Sequence, residues 1–406
     1  MMIKTQIIGT GACGNKAALK LAKENVVAPD DILLVNSTMQ DIENIDLGEI
    51  PAANIIHLGT KDNKGNITLA SGAGKQAKVG EELAFNALDT GVLDLDSFIK
   101  PDTQQIIIVT SLAGGTGSGS SIAIAEEIRD NYSTPENPIA VRIIGLSGFE
   151  NDLREIQNTL YFFKRIADDF VVDVICNKKF LTTGVSQLKA CELANDEFVK
   201  KVSILAGNCI TPSEFNIDQR DMTKVISRFG YSNVEYTQIT EKIKNIEHFN
   251  QVLQSMIDNS TSMDTEKAGD LVMAVIVNLP KTQQEYIDHS FKVLKDAYGN
   301  AFELYEHVQE DELLTPFIAF IISGMELPID QVLVMEAKYS EQRESSRSSR
   351  RRNVYDTLSS INTGDDEEEF DYGAQQGSRS RRSRRSQQQE QRPLKEKTTV
   401  NPNEGY

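Results

Sequence analysis

Apolar and β-branched residues gather in short runs through the first 180 positions, at Thr5–Ile8, Ile32–Val35, Ile106–Thr110, Val141–Gly145 and Val171–Cys176. Between these runs, apolar residues return at the three- and four-residue steps of amphipathic helices. Strand-length runs alternating with helical periods predict a parallel, doubly wound α/β sheet. Leu188, Cys191, Ala194, Phe198, Val202 and Leu205 then form one continuous stripe, which predicts a long connecting helix. Beyond it, helical patterns at Met222–Arg228 and Ile243–Met256 precede strand-like runs Val272–Leu279, Pro316–Ile322 and Val332–Met335, as expected of a smaller α/β domain. The pattern stops near Tyr339, where Ser, Arg, Gln and Glu take over with few apolar residues to offset the entropy of ordering. The expected organisation is a Rossmann-like domain over 1–186, a central helix over 187–209, a second domain over 210–338 and a disordered charged tail over 339–406.

Charge divides the chain at the same place. The formal net charge is −18, with 29 basic and 48 acidic residues in 1–340 but 13 and 12 in 341–406. An acidic body repels phosphate backbones and argues against broad nucleic-acid binding by the folded part, while the tail, with basic clusters at Arg347 and Arg350–Arg352 and at Arg379–Arg385 around an acidic run Asp365–Glu369, can behave differently. The 39% hydrophobic content suffices for sizeable cores. Cys13, Cys176, Cys191 and Cys209 are scattered without metal-ligand spacing, as expected of reduced thiols in a cytoplasmic protein, and no apolar run approaches membrane-spanning length. His57, His248, His289 and His307 form no recognisable ligand pair.

Two glycine loops carry the candidate chemistry. Gly9-Thr10-Gly11-Ala12-Cys13-Gly14-Asn15 follows the first strand and opens a helix, so backbone N–H groups can face an anion. It satisfies G-x-G-x-x-G, yet the second strand ends in Val35-Asn36-Ser37, without the acid that would hold a nicotinamide cofactor's ribose. An NAD-dependent oxidoreductase is therefore a distant alternative. The second loop, Ala113-Gly114-Gly115-Thr116-Gly117-Ser118-Gly119, lies between the run Ile106–Thr110 and a helical pattern; its glycines allow backbone to curl around phosphate, and Thr116 and Ser118 add hydroxyls. It is not a Walker loop, since Gly74-Lys75 is followed by Gln76.

Gly114–Gly119 resembles the signature loop of the tubulin/FtsZ superfamily, and Cys13-Gly14-Asn15 resembles the tubulin form of the first loop. Further segments resemble the family in the same order: Asn36–Gln40 as a second nucleotide loop, Gly72–Gly80 as the γ-phosphate loop with Lys75 and Gln76 departing from the FtsZ pattern, Glu150 and Arg154 as ribose and phosphate contacts, and Asn177 and Asn195 as guanine contacts. An amide suits that last role because it offers both donor and acceptor to the base edge. The resemblance implies GTP/GDP binding through Gly11, Ala12, Cys13, Gly14, Asn15, Asn36, Gly74, Lys75, Gly114–Gly119, Glu150, Arg154, Asn177 and Asn195, with Mg²⁺ held mainly by the phosphates.

Asn216-Ile217-Asp218-Gln219-Arg220-Asp221 is similar to the family's synergy loop. Taken alone, Asp218 reads as a helix N-cap. The resemblance instead implies that Asn216, Asp218 and Asp221 enter the pocket of the next subunit and orient water, so that GTPase activity follows head-to-tail polymerisation. The tail lacks the apolar and basic terminal peptide of division-type FtsZ, and the chain most resembles the TubZ group. That likeness implies plasmid or phage DNA segregation through a DNA-bound adaptor, or direct DNA contact of the arginine-rich tail, with no membrane partner. A division or phage-positioning filament is the alternative.

Overall fold

The computed structural model describes residues 3–43, 45–150, 152–166, 169–213, 217–264, 269–280, 283, 286–299 and 302–360. The chain opens with β1 (Thr5–Thr10), α1 (Gly11–Lys23), β2 (Ile32–Asn36), a single-turn α2 (Gln40–Glu43), β3 (Ile55–His57) and a small hairpin, β4 (Gly59–Lys61) and β5 (Ile67–Leu69). It continues through α3 (Ala77–Asp89), β6 (Gln105–Ser111), α4 (Gly115–Asn131), β7 (Ala140–Leu146), α5 (Leu153–Ile166), β8 (Val171–Ile175) and the central α6 (Gln187–Leu205). The remainder comprises α7 (Gln219–Ser227), β9 (Gly230–Gln238), α8 (Ile246–Asp258), β10 (Gly269–Asn278), α9 (Ile287–Tyr298), β11 (Phe302–Gln309), β12 (Phe317–Met325) and α10 (Ile329–Ser360).

One ten-stranded sheet, ordered β11-β10-β12-β9-β8-β7-β6-β1-β2-β3, runs through both expected domains. From β3 to β8 every pairing is parallel. Parallel strands covered on both faces need apolar residues at successive positions, and the isoleucine-rich β6 divides accordingly. Ile106 and Ile108 join Ile8, Leu33 and Ile143 on the face covered by α3, α4 and α5, while Ile107 and Val109 join Ile7, Leu34 and Ile144 on the face covered by α1 and α6. The expected doubly wound α/β class is the one observed.

The sheet narrows where the two parts meet, because β8 and β9 pair through only Val171↔Gly230 and Val172↔Tyr231. Buried polar groups take over there. Lys201 of α6, 1% exposed, donates to Asp173 Oδ2 at 3.3 Å, Asn233 Oδ1 at 3.1 Å, the Val234 carbonyl at 2.6 Å and Ser262 Oγ at 2.9 Å. Arg142 of β7, also fully buried, donates to Ser232 Oγ on β9 at 2.6 Å. Sequence periodicity counts a lysine on a helix as solvent-facing, so it gives no sign of this seam.

Three expectations need correction. The run Val332–Met335 lies in α10 rather than a strand, and a short apolar run carries too few positions to separate the two periods. α10 continues to Ser360, past the end of the hydrophobic pattern near Tyr339, while the clusters at 365–369 and 379–385 lie outside the described residues. Leu188, placed on the α6 stripe, is exposed, whereas Ala194, Phe198, Val202 and Leu205 are buried. Among the described residues, no helix is long and apolar enough to cross a membrane.

Candidate functional site

The two glycine loops meet at the carboxyl ends of adjacent strands. β1 passes into α1 with no intervening residue, a turn made possible by Gly11 at φ +70°. A Cβ on Gly11 would sit 2.9 Å from the Gly117 nitrogen, so the N-termini of α1 and α4 abut. Neither helix has an acidic residue in its first turn, leaving both positive dipole ends uncancelled. Free N–H groups and two helix N-termini at the end of a parallel sheet make a phosphate cradle.

The glycines of the second loop divide by what surrounds them. A Cβ on Gly115 would meet the Gln76 nitrogen at 2.5 Å, one on Gly119 the Ala77 carbonyl oxygen at 1.9 Å, and one on Gly117 Thr110 Oγ1 at 2.7 Å. These three positions are glycine because α4 packs against α3, the 72–76 loop and β1. Gly114 alone of the four has room, with nothing nearer than the Ser111 carbonyl oxygen at 3.7 Å. The hydroxyls divide likewise. Ser118 is fully buried and donates to the Asn158 carbonyl at 3.4 Å, while Thr116 Oγ1 lies 2.5 Å from Ser37 Oγ, joining this loop to the end of β2. Ser118 therefore faces the protein interior rather than the cradle.

Around the cradle lie the amides. Asn15, Asn177 and Asn195 each carry a buried Oδ1 with no hydrogen-bond partner. Leaving such an acceptor unmet costs about 1–3 kcal/mol, so the three oxygens suit a ligand edge rich in N–H donors. Their other atoms are partly engaged: Asn15 Nδ2 donates to the Val35 carbonyl at 3.4 Å, and the Asn177 N–H donates to Ser147 Oγ at 3.0 Å. Asn36 differs, since its Oδ1 accepts from the Ser37 N–H at 2.8 Å and its Nδ2 donates to Asp41 at 3.4 Å. Burial, with Cys191 nearby, pushes the Cys13 thiol up to about 12, which removes it as a nucleophile near neutral pH.

Glu150 adopts φ +55°, a strained conformation for a residue with a Cβ, and accepts from Lys178 at 2.5 Å and Lys338 at 3.1 Å. Burial opposes its charge, but the hydrogen bonds from these two lysines hold its carboxyl below the ordinary value. Arg154 Nη1 donates to the Gly74 carbonyl at 3.2 Å, and Gly74 and Lys75 both take left-handed conformations, φ +56° and +57°. Lys338 and Asn158 carried no signal in the sequence, whereas Ser37 lies in the Asn36–Gln40 segment and Lys178 stands beside Asn177.

The chain that leads to the acidic segment leaves α6 at the other end of β1. The Ile3 N–H, just before β1, donates to the Ala206 carbonyl at 3.0 Å, so the chain leaving α6 passes the amino end of β1, opposite the cradle. α6, with 19 residues, spans about 28 Å and carries the chain from one end to the other. Asp218 is the N-cap of α7, its Oδ1 accepting from the Asp221 N–H at 2.8 Å. Asp218 is exposed and Asp221 half-buried, and among the described residues neither carboxylate takes part in an ion pair. Asn216 lies outside the described residues. No cluster of three or more His, Cys, Asp or Glu side chains suited to a metal occurs among the described residues.

Residues 4–184 match the Tubulin/FtsZ family, GTPase domain. The chain is 25% identical over 284 residues to the tubulin-like protein CetZ of Thermococcus kodakarensis, covering 68% of this chain and 70% of that one. Among solved structures it resembles a GTPγS-form protofilament of TubZ from Bacillus thuringiensis serovar israelensis, with a TM-score of 0.67, 18% identity, and coverage of 86% of this chain and 94% of that one. It also resembles GDP-bound monomeric CetZ1 from Haloferax volcanii, with a TM-score of 0.65, 19% identity, and coverage of 84% and 100%. The nicotinamide alternative falls, because the G-x-G-x-x-G segment lies inside the matched GTPase domain.

Proposed function

We propose that this chain, whose residues 4–184 form a GTPase domain of the tubulin/FtsZ type, assembles head to tail into filaments and hydrolyses GTP where one subunit docks on the next. The observation that supports the reading is that α6 carries the chain away from the cradle side to the amino end of β1, where Ile3 meets Ala206, before the segment with Asp218 and Asp221 follows. In this reading a second copy stacked head to tail presents its acids to the cradle. The TubZ relative is solved as a GTPγS-form protofilament, which supports the reading.

In this reading the N-termini of α1 and α4 bind phosphate, and Gly114 lets backbone approach it closely. Asn177 and Asn195 meet the base edge, and Glu150 takes the ribose. Phosphoryl transfer to water asks for positioning and charge neutralisation more than for covalent chemistry. Asp218 and Asp221 of the incoming copy would orient the attacking water and accept its proton. Mg²⁺, carried mainly on the phosphates, would offset their charge.

As the finer reading, the filament moves plasmid or phage DNA, with the arginine-rich segments beyond Tyr339 contacting a DNA-bound adaptor or DNA itself. The acidic body and the clusters at 350–352 and 379–385 support it. GTPase activity per subunit, measured with light scattering across protein concentrations, tests the assembly step: it should rise through an assembly threshold, and a flat rate per subunit would overturn subunit completion. Removal of residues 341–406 should spare GTP-driven scattering and abolish co-sedimentation with adaptor-bound DNA. Unchanged co-sedimentation would overturn the tail's role.

A further inference from the structure

The 72–76 loop is an unlikely piece of chain to stay put. Gly72, Gly74 and Lys75 have φ of +105°, +56° and +57°, and Lys75 carries a Cβ into a region that disfavours it. Two side chains of α5 hold the loop, Arg154 at Gly74 and Asn158 at Lys75. Asn158, on α5 and 3% exposed, donates through Nδ2 to the Lys75 carbonyl at 3.1 Å and to the Ala113 carbonyl at 2.8 Å, and accepts the Ala77 N–H on Oδ1 at 2.9 Å. Both amide hydrogens and one lone pair are used. The Asn158 carbonyl also receives Ser118 Oγ. Asn158 thus joins the loop, the start of α3 and the residue before Gly114 at one point.

We propose that Asn158 is a positioning residue that makes the site discriminate GTP from GDP, by clamping the 72–76 loop to the 113–119 loop in the conformation that receives the terminal phosphate. The proposal rests on the assignment of the cradle to GTP. It follows from where the ordering cost falls. A loop with three left-handed residues has many alternative conformations, and a ligand that needs one of them must bear the entropy of selecting it. With the clamp in place that selection is made beforehand. The α1 and α4 N-termini, which serve phosphates common to both nucleotides, are fixed as well by the packing of Gly11 and Gly117 on each other and on β1 and β6, and so depend on Asn158 less than the 72–76 loop does. Arg154, one helical turn earlier on α5, contacts Gly74 but makes no bond to the 113–119 loop among its described contacts, so it cannot substitute as the link.

The test compares binding of GTPγS and GDP by calorimetry to the full chain, below the concentration at which light scattering detects assembly. Asn158→Ala and Asn158→Asp should weaken GTPγS binding about tenfold, the scale of a lost buried hydrogen-bond pair, and GDP binding by less than about twofold. Aspartate keeps the volume and the acceptor for Ala77 but cannot donate to Lys75 or Ala113, so it carries the test if alanine fails to fold. Lys75→Gly supplies a readout that general destabilisation would not move. Glycine widens the set of conformations open to the unclamped loop, so the Asn158→Ala loss for GTPγS should grow in that background while the GDP loss does not, and an unchanged GTPγS loss would count against the clamp. Equal weakening of both nucleotides, no weakening, or loss of fold in both Asn158 variants overturns the clamp. Wild-type protein that binds neither nucleotide would instead overturn the GTP assignment.

Discussion

The cradle end and the acid end of this protein are built by opposite means. At the cradle, backbone meets backbone so closely that a single methyl group would intrude at Gly14, Gly80, Gly115 and Gly119, the added Cβ lying 1.9–2.5 Å from a neighbouring main-chain atom. At the acid end, Gln309 braces the chain leaving α6, accepting the Thr211 N–H at 2.8 Å and donating to the Cys209 carbonyl at 2.9 Å, and beyond that Asp218 is held by its own helix cap. One end is finished within the chain. The other offers carboxylates to solvent with no partner among the described ionic groups, which is what a surface awaiting another subunit would present.

The largest expected effect comes from breaking the crowded end. Gly119→Ala should destabilise the fold by about 3 kcal/mol or more, as overpacking against a fixed carbonyl does, and lower the urea midpoint accordingly. Gly114→Ala should stay within about 0.5 kcal/mol of wild type yet weaken nucleotide binding, because the added Cβ would make only ordinary contacts, with Ser111 at 3.7 and 3.9 Å, and would occupy space left to the ligand. Equal destabilisation by both would erase the distinction between packing glycines and the ligand-facing one.

At the acid end the chemistry should fail and the fold survive. Asp218→Asn keeps a good N-cap, so stability should change by less than about 0.5 kcal/mol, while steady-state GTP turnover falls about a hundredfold with assembly retained. Asp221→Asn should behave similarly. Full turnover in both variants, followed by phosphate release during light scattering, would remove these acids from the mechanism.

The smallest effect concerns the brace. His307, 1% exposed, lies 2.9 Å from Gln309 Oε1 through Nε2, and its Nδ1 has no partner. Burial holds its pKa below the ordinary 6.5 despite the hydrogen bond to Gln309. A depressed folded-state pKa means that the unfolded chain takes up the proton first, so this contribution is present above pH 6.5 and is lost as pH falls through the folded-state value. Urea midpoints should therefore decline slightly between neutral pH and about pH 5.5, and the decline should be shallower in His307→Gln. An identical slope in the variant would detach His307 from it.

The strand runs and helix periods from Thr5 to Cys176 were legible because a doubly covered parallel sheet requires near-continuous apolar runs, which few other local structures produce. β11 went unrecognised, since in Phe302–Gln309 the two-residue alternation is broken by Glu306 on the face of Phe302, Leu304 and Val308 and by Tyr305 on the polar face. The short run at Val332–Met335 could not reveal that it belonged to a long helix. The glycine loops were legible as loops, but Gly14, Gly115, Gly117 and Gly119 serve packing between elements far apart in sequence, and one-dimensional spacing cannot separate that from ligand approach.

By itself, the sequence determined the alternating α/β plan, the two glycine segments, the missing ribose acid at Asn36 and the acids at Asp218 and Asp221, because each is a local matter of residue type and period. Only the tertiary structure decided that Asn158 reaches across to Lys75, Ala77 and Ala113, that Lys338 meets Glu150, that Lys201 is buried at the seam, and that the chain leaving α6 meets Ile3 at the amino end of β1. Those facts depend on contacts between residues tens to nearly two hundred positions apart, whose distances the sheet order and the length of α6 set and no local pattern records.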